Sequence, residues 1–119
     1  MAIQIIKEPI SKKTIEEIAR NQFGDMVKAA VDIENNLMAI GGELHADEEK
    51  VLLENGSEQE NIWGINLRLD TAHDAWIEFD SMINVRPSRG NRSRSVENQE
   101  IRQKIRDIVN GLIYTQNQS

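Results

Sequence analysis

Two stretches of the chain place apolar residues at helical spacing, and the region between them places them at every second position. Ile15, Ile18, Ala19 and Phe23 form one stripe, and Ile101, Ile105, Ile108, Val109 and Leu112 form the other. The first helix is predicted to start at Ser11, an N-cap residue, with Glu16 and Glu17 near its positive end and Ile10 and Ile15 at the positions of a hydrophobic staple; Gly24 is its stop. The second is predicted from about Asn98 to Leu112, with Arg102, Lys104, Arg106 and Asp107 off its apolar face.

Between them, Met26–Ile33 alternates Val27, Ala29, Val31 and Ile33 with Met26, Lys28, Ala30 and Asp32, and Asn35-Asn36 makes a turn into Leu37–Leu44, whose inner set is Met38, Ile40, Gly42 and Leu44. The next segment has two readings. Val51–Glu54 followed by Asn55-Gly56 starts a hairpin that returns through Trp63, Ile65, Leu67 and Leu69; alternatively Asp47 caps a short helix, Glu48–Glu54, ended by Gly56. The hairpin is carried forward, because Asn-Gly is the commonest type I′ pair. After a turn at Asp70–Asp74 comes a strand from Trp76 to Arg86 with Ile77, Phe79, Ser81, Ile83 and Val85 inward, closed by Pro87. Ala2–Ile6 offers an edge strand. These elements make an α+β fold: a meandering antiparallel sheet of four to five strands, with an N-terminal and a C-terminal helix packed on one face. One domain is expected over residues 1–114, and residues 115–119 read as a disordered tail. Phe79, Ile83, Val85, Ile101, Ile105 and Ile108 are expected to share a core.

The same alternation assigns an outer face. It carries Lys28 and Asp32; Gly41, Glu43 and His45; Gly64, Asn66 and Arg68; and Trp76, Glu78, Asp80, Met82, Asn84 and Arg86. Such a face is either a solvated field of mixed charge or a ligand-binding concavity around the two glycines.

Composition narrows the chemistry. The 119 residues include no cysteine, which excludes disulfides, thiolate metal sites and cysteine nucleophiles and suits a reducing cytoplasm. No segment reaches the ~20 apolar residues of a membrane span. A pI near 4.9 argues against coating duplex nucleic acid. Charge is unevenly spread: residues 1–85 carry 7 basic and 17 acidic side chains, and residues 86–119 carry 7 basic and 3 acidic. The local field around R-P-S-R-G-N-R-S-R-S therefore favours an anion. There Gly90 and Asn91 are expected at positive φ, exposing N–H groups, while Arg86, Arg89, Arg92 and Ser93 add donors beside Asn84, ahead of a helix N-terminus. The competing reading pairs Arg86 and Arg92 with Glu78, Asp80 or Glu43 as braces. Glu43, His45, Glu78 and Asp80 are the candidate acids and bases. No metal site stands out, Glu43, His45 and Asp80 being the candidate ligands if one exists, and His73 reads as exposed in an acidic turn. Nothing names a cofactor.

The segments G-G-E-L-H-A-D (41–47), L-L-E-N-G-S (52–57), W-G-I-N (63–66) and D-S-M-I-N-V-R-P-S-R-G-N-R-S (80–93) resemble a small bacterial family classed only as a domain of unknown function. The similarity covers nearly the whole chain. It implies a bacterial, single-domain, stand-alone protein and transfers no activity.

Three functions follow as expectations. The first is a cytoplasmic domain that binds a small anion, a nucleotide or phosphorylated metabolite, through Asn84, Arg86, Arg89, Gly90, Asn91, Arg92 and Ser93. The second is a metal-assisted hydrolase or nuclease using Glu43, His45, Glu78 and Asp80. The third is an interaction module that forms a homodimer or docks on another protein through Trp63, Trp76 and Met82.

Overall fold

A computed structural model describes residues 2–71 and 75–115. In chain order the described residues form β1 (Gln4–Ile6), β2 (Ile10–Ser11), α1 (Lys12–Arg20), β3 (Met26–Asp32), β4 (Leu37–Ile40), α2 (His45–Glu54), β5 (Ile62–Arg68), β6 (Ile77–Glu78), α3 (Gln99–Leu112) and β7 (Ile113–Tyr114). The fold is α+β, with an antiparallel five-stranded sheet ordered β1-β4-β3-β5-β6; β2 and β7 pair in parallel beside it.

Local chemistry sets the two terminal helices. The Ser11 hydroxyl accepts from the Thr14 N–H at 3.2 Å, and the Asn98 side chain accepts from Ile101 N–H at 3.0 Å, so each helix starts at a capped end. Their apolar stripes meet the inner face of the sheet. Ile15, Ile18 and Ala19 of α1 and Ile105, Ile108 and Val109 of α3 share one core with Val27, Ala29, Val31, Met38, Ile40, Ile65 and Leu67. The β3–β4 turn is also as expected: Asn36 takes a positive φ of 56°, and Asp32 accepts hydrogen bonds from Glu34, Asn35 and Ser57. That role makes Asp32 fully buried rather than an open group of the outer face.

The expected second hairpin is replaced by α2. His45, Glu48 and Leu52, at helical spacing, are its buried residues, and Asp47 and Glu48 lie in the first turn, where acidic groups suit the helix dipole. Leu52 packs with Ala30, Ala39 and Ile62 on the outer face of the sheet, where the two alanines leave room for a helix. Helices therefore cover both faces of the sheet. Asn55 caps the C-terminal end, and its side chain donates back to the Val51 carbonyl at 2.8 Å. Strand β4 is correspondingly shorter than expected, and Leu44, assigned to the inner set, is 56% exposed at the start of α2.

The long strand predicted from Trp76 to Arg86 is the largest correction. Its ladder covers only Asn66 with Glu78 and Leu67 with Ile77. Beyond it, side chains pair the edge of β5. The Asn84 amide accepts from Gly64 N–H at 2.8 Å and donates to the Gly64 carbonyl at 2.9 Å, and Arg86 donates to the Ile62 carbonyl. Gly64 permits this approach, since a β-carbon there would lie 2.6 Å from the Ser81 side chain. Alternation fails with the ladder: Trp76 is buried in the inner core, Ile83 joins the outer cluster, Val85 belongs to neither, and Phe79 and Ile101 pack at the inner core's margin. The six residues expected to share one core are thus divided.

Candidate functional site

Strand register builds the outer face from the backbone upward. Lys28 on β3 lies opposite Asn66 on β5, and Asn66 lies opposite Glu78 on β6, so a cation, an amide and a carboxylate form one row across three strands. Adjacent strands are about 4.8 Å apart, which separates the backbones of Lys28 and Glu78 by roughly 10 Å. Over this row lies a cleft of about 410 Å³, lined among others by Lys28, His45, Asn66, Arg68, Asp80 and Arg94.

Asn66 is its floor. The residue is only 6% exposed; its Nδ2 donates to Glu78 Oε1 at 2.8 Å and to the Asp80 carbonyl at 3.2 Å. Its Oδ1 is buried, and its side chain lies within hydrogen-bond reach of the His45 ring. Around it, Arg94 Nε donates to Asp80 Oδ1 at 2.6 Å, and Arg68 lies 3.9 Å from Glu78 Oε1 and 3.9 Å from Asp70. Lys28 sits over the Phe23 ring at 5.4 Å and forms no ion pair among the described residues. A cleft that bears Lys28, Arg68 and Arg94 against Glu78 and Asp80 is locally cationic in a chain of net charge −6.

His45 enters the cleft from the first turn of α2. Its Nε2 is 2.7 Å from the Ile65 carbonyl, which only accepts, so Nε2 carries the proton and Nδ1 is the basic nitrogen of the neutral ring. Burial lowers its pKa and Lys28 lowers it further, against the upward pull of the Ile65 carbonyl, the Asn66 side chain and Asp80. One helical turn on, Glu48 is fully buried: Oε2 accepts from Gly42 N–H at 3.0 Å and Oε1 has no partner among the described residues. Burial raises its pKa to about 9, so it is a neutral acid at pH 7. Glu48 was not legible as a buried acid; its i+3 spacing from His45 was the available signal. Lys28, Asn66 and Arg68 were legible as outward residues, and the register makes them neighbours.

The arginine loop is arranged differently. Arg86 N–H and Asn91 N–H bond each other's carbonyls around Pro87–Arg89 and Gly90, which takes φ 83°. Asn91 was expected at positive φ and is not; it is buried instead, its amide donating to the carbonyls of Asn84, Ser93 and Ser95 while its Oδ1 accepts from Glu97 N–H. The N–H groups of Arg92 and Ser93 both donate to Glu97 Oε2, at 3.0 and 2.8 Å. The chain thus presents its own carboxylate to the N–H groups expected to receive a phosphate, and the Ser93 hydroxyl and N–H hold that carboxyl below its usual pKa. Arg86 pairs with Glu49 at 3.5 Å and stacks on Trp63 at 4.9 Å; Arg89 pairs with Glu60 at 3.4 Å; the Asn84 amide is taken up by Gly64 and the Arg94 carbonyl. Arg92 is exposed.

A larger groove of about 720 Å³ lies between α2 and this loop, but Glu49, Glu58 and Glu60 line it, and its arginines, Arg86 and Arg89, are the two paired ones. Glu43 is exposed ahead of α2 and does not line the cleft that His45, Glu78 and Asp80 share. Among the described residues no three His, Asp or Glu side chains form a group that could hold a metal. His73 lies outside the described residues. Of the apolar residues expected to form a docking patch, Trp63 and Trp76 are buried and Met82 is 65% exposed. No described helix is long and apolar enough to cross a membrane.

The chain belongs to the family described as Protein of unknown function (DUF5674), whose model matches residues 4–112. No curated protein and no solved structure matches it.

Proposed function

We propose that this protein is a small-molecule binding domain whose ligand is a small anion seated in the outer-face cleft rather than on the arginine loop. The observation that carries this is the row across the cleft floor: Lys28, which forms no ion pair among the described residues, stands in register with the buried Asn66 and beside Arg68 and Arg94 in an open cleft. Lys28, with Arg68 and Arg94 beside it, supplies the attraction for a phosphate or carboxylate. The cytoplasm and a bacterial source belong to this reading as expectations from composition and resemblance.

The test is calorimetry with inorganic phosphate, sugar phosphates, nucleotides and small carboxylates. Binding should weaken at least tenfold in Lys28→Met, persist in Arg92→Ala, and fall as salt rises. Absence of binding across the panel defeats the reading; loss in Arg92→Ala with retention in Lys28→Met returns the site to the loop. A hydrolytic reading has one observation in its favour, since His45, Glu78 and Asp80 line the same cleft. Turnover of a phosphate or carboxylate ester that disappears in His45→Ala would select it.

A further inference from the structure

Resting on that reading of the cleft, we infer that the preferred ligand is an amphipathic anion: a carboxylate or phosphate on an unbranched apolar chain, rather than a nucleotide or a sugar phosphate. The inference comes from the order of groups along β5. On its outer face Arg68, Asn66 and Gly64 follow one another at alternate positions, about 6.6 Å apart. The first two belong to the charged end of the cleft, with Lys28 and Glu78 in the same row. Gly64 has no side chain, and the turn after β6 takes its place: a β-carbon there would lie 3.0 Å from Ile83 Cγ1. Ile83 and its neighbour Met82 line the cleft, and so does Leu44 at the start of α2. Along the strand the lining thus passes from cationic to apolar within one pleat, a distance that a tail of roughly six carbons covers.

Exposure makes the apolar groups available to a ligand. Met82 is 65% exposed and Leu44 is 56% exposed, the two highest values among the large apolar side chains described. Such residues scattered singly are ordinary; two of them in one cleft with a lysine that forms no ion pair among the described residues are a surface that an anion with an apolar tail covers. A sugar in the same place would set its hydroxyls against Met82 and Leu44 and lose their hydration. The larger groove shares Met82, but its rim of Glu49, Glu58 and Glu60 repels an anion, so the head group belongs on the Lys28 side. Complete burial of a methylene is worth about a fourfold gain in affinity, and an open cleft that covers half of each gives about twofold.

Titration calorimetry on the full chain at pH 7 tests this with two homologous series, ethyl, butyl and hexyl phosphate and butyrate, hexanoate and octanoate, all kept below micellar concentrations. Affinity should rise at least tenfold from the shortest to the longest member of each series. Leu44→Ser combined with Met82→Ser should cut that ratio to threefold or less, while Tyr114→Ser, which removes an exposed ring outside the cleft, should keep it. A flat series, a rise that survives the double substitution, or a sugar phosphate that binds tighter than hexyl phosphate overturns the amphiphile inference and leaves the anion cleft standing; binding of no member overturns both. Sedimentation with equimolar phosphatidylcholine and phosphatidylglycerol vesicles would assign the apolar pair to a membrane surface and overturn the small-molecule inference; a net charge of −6 predicts none. The wild-type series decides on its own, so the test holds even if a variant proves unstable.

Discussion

In the loop from Arg86 to Glu97 the backbone N–H groups, Asn91 and Glu97 are spent on one another, whereas in the cleft over β3, β5 and β6 Arg68 and Arg94 are paired but Lys28 forms no ion pair among the described residues. Both regions draw on arginine, carboxylate and asparagine. Asn91 satisfies four backbone groups and is itself satisfied; Asn66, equally buried, donates to Glu78 and the Asp80 carbonyl and lies within hydrogen-bond reach of the His45 ring. Arg86 and Arg89 face carboxylates across from them, while Lys28 forms no ion pair among the described residues. A high local density of cationic residues is therefore a poor guide to a binding site by itself. What distinguishes the cleft is a cation without an ion pair among the described residues beside open space.

Substituting the two asparagines should expose this difference most strongly. Asn91→Ala strands several buried backbone groups and should cost roughly 3–4 kcal/mol, whereas Asn66→Ala should cost about 1 kcal/mol, both read by urea denaturation. Equal losses would mean that the amide in the cleft is as structural as the one in the loop. The arginines come next. Arg86→Ala removes a half-buried guanidinium bonded to Ile62, Glu49 and the Trp63 face and should cost roughly 2–3 kcal/mol, against less than about 0.5 kcal/mol for Arg89→Ala, an exposed pair.

Beneath the cleft, Glu48 gives a pH signature. Its pKa is raised from 4.5 to about 9 in the fold, so the folded state binds the proton more tightly than the unfolded chain. Stability linked to Glu48 is thus fully present below about pH 4.5 and is lost as the pH rises toward about 9, at a slope of roughly 1.4 kcal/mol per pH unit. Glu48→Gln should lack that slope, so the wild-type-minus-variant difference in denaturation should fall by roughly 1.4 kcal/mol per pH unit between pH 5 and 8. A flat difference would place Glu48 in water. The smallest stability effect belongs to Lys28→Met, below about 0.5 kcal/mol because Lys28 forms no ion pair among the described residues, even though ligand binding should vanish.

By itself the sequence determined the elements whose signals are local. The α1 and α3 caps, the α3 stripe, the alternation of β3 and β5, and the Asn35-Asn36 turn are properties of neighbouring residues and formed where expected; the α1 stripe formed through Ala19, but the helix ends at Arg20 and Phe23, expected in its stripe, is 40% exposed. It also assigned Lys28, Asn66, Arg68 and Glu78 to one face, because side chains alternate along a strand whatever its partner. Tertiary structure decided the rest. Asn55-Gly56 suits a hairpin and a helix end equally, and Ala30 and Ala39, distant in sequence, made room for α2. The stretch after Glu78 alternates like a strand, yet Asn84 and Arg86 could satisfy the edge of β5 with side chains, which ended the ladder. Whether a cation meets a carboxylate, and whether a buried amide finds its donor, depends on residues brought together from separate strands; no periodicity within one segment encodes that.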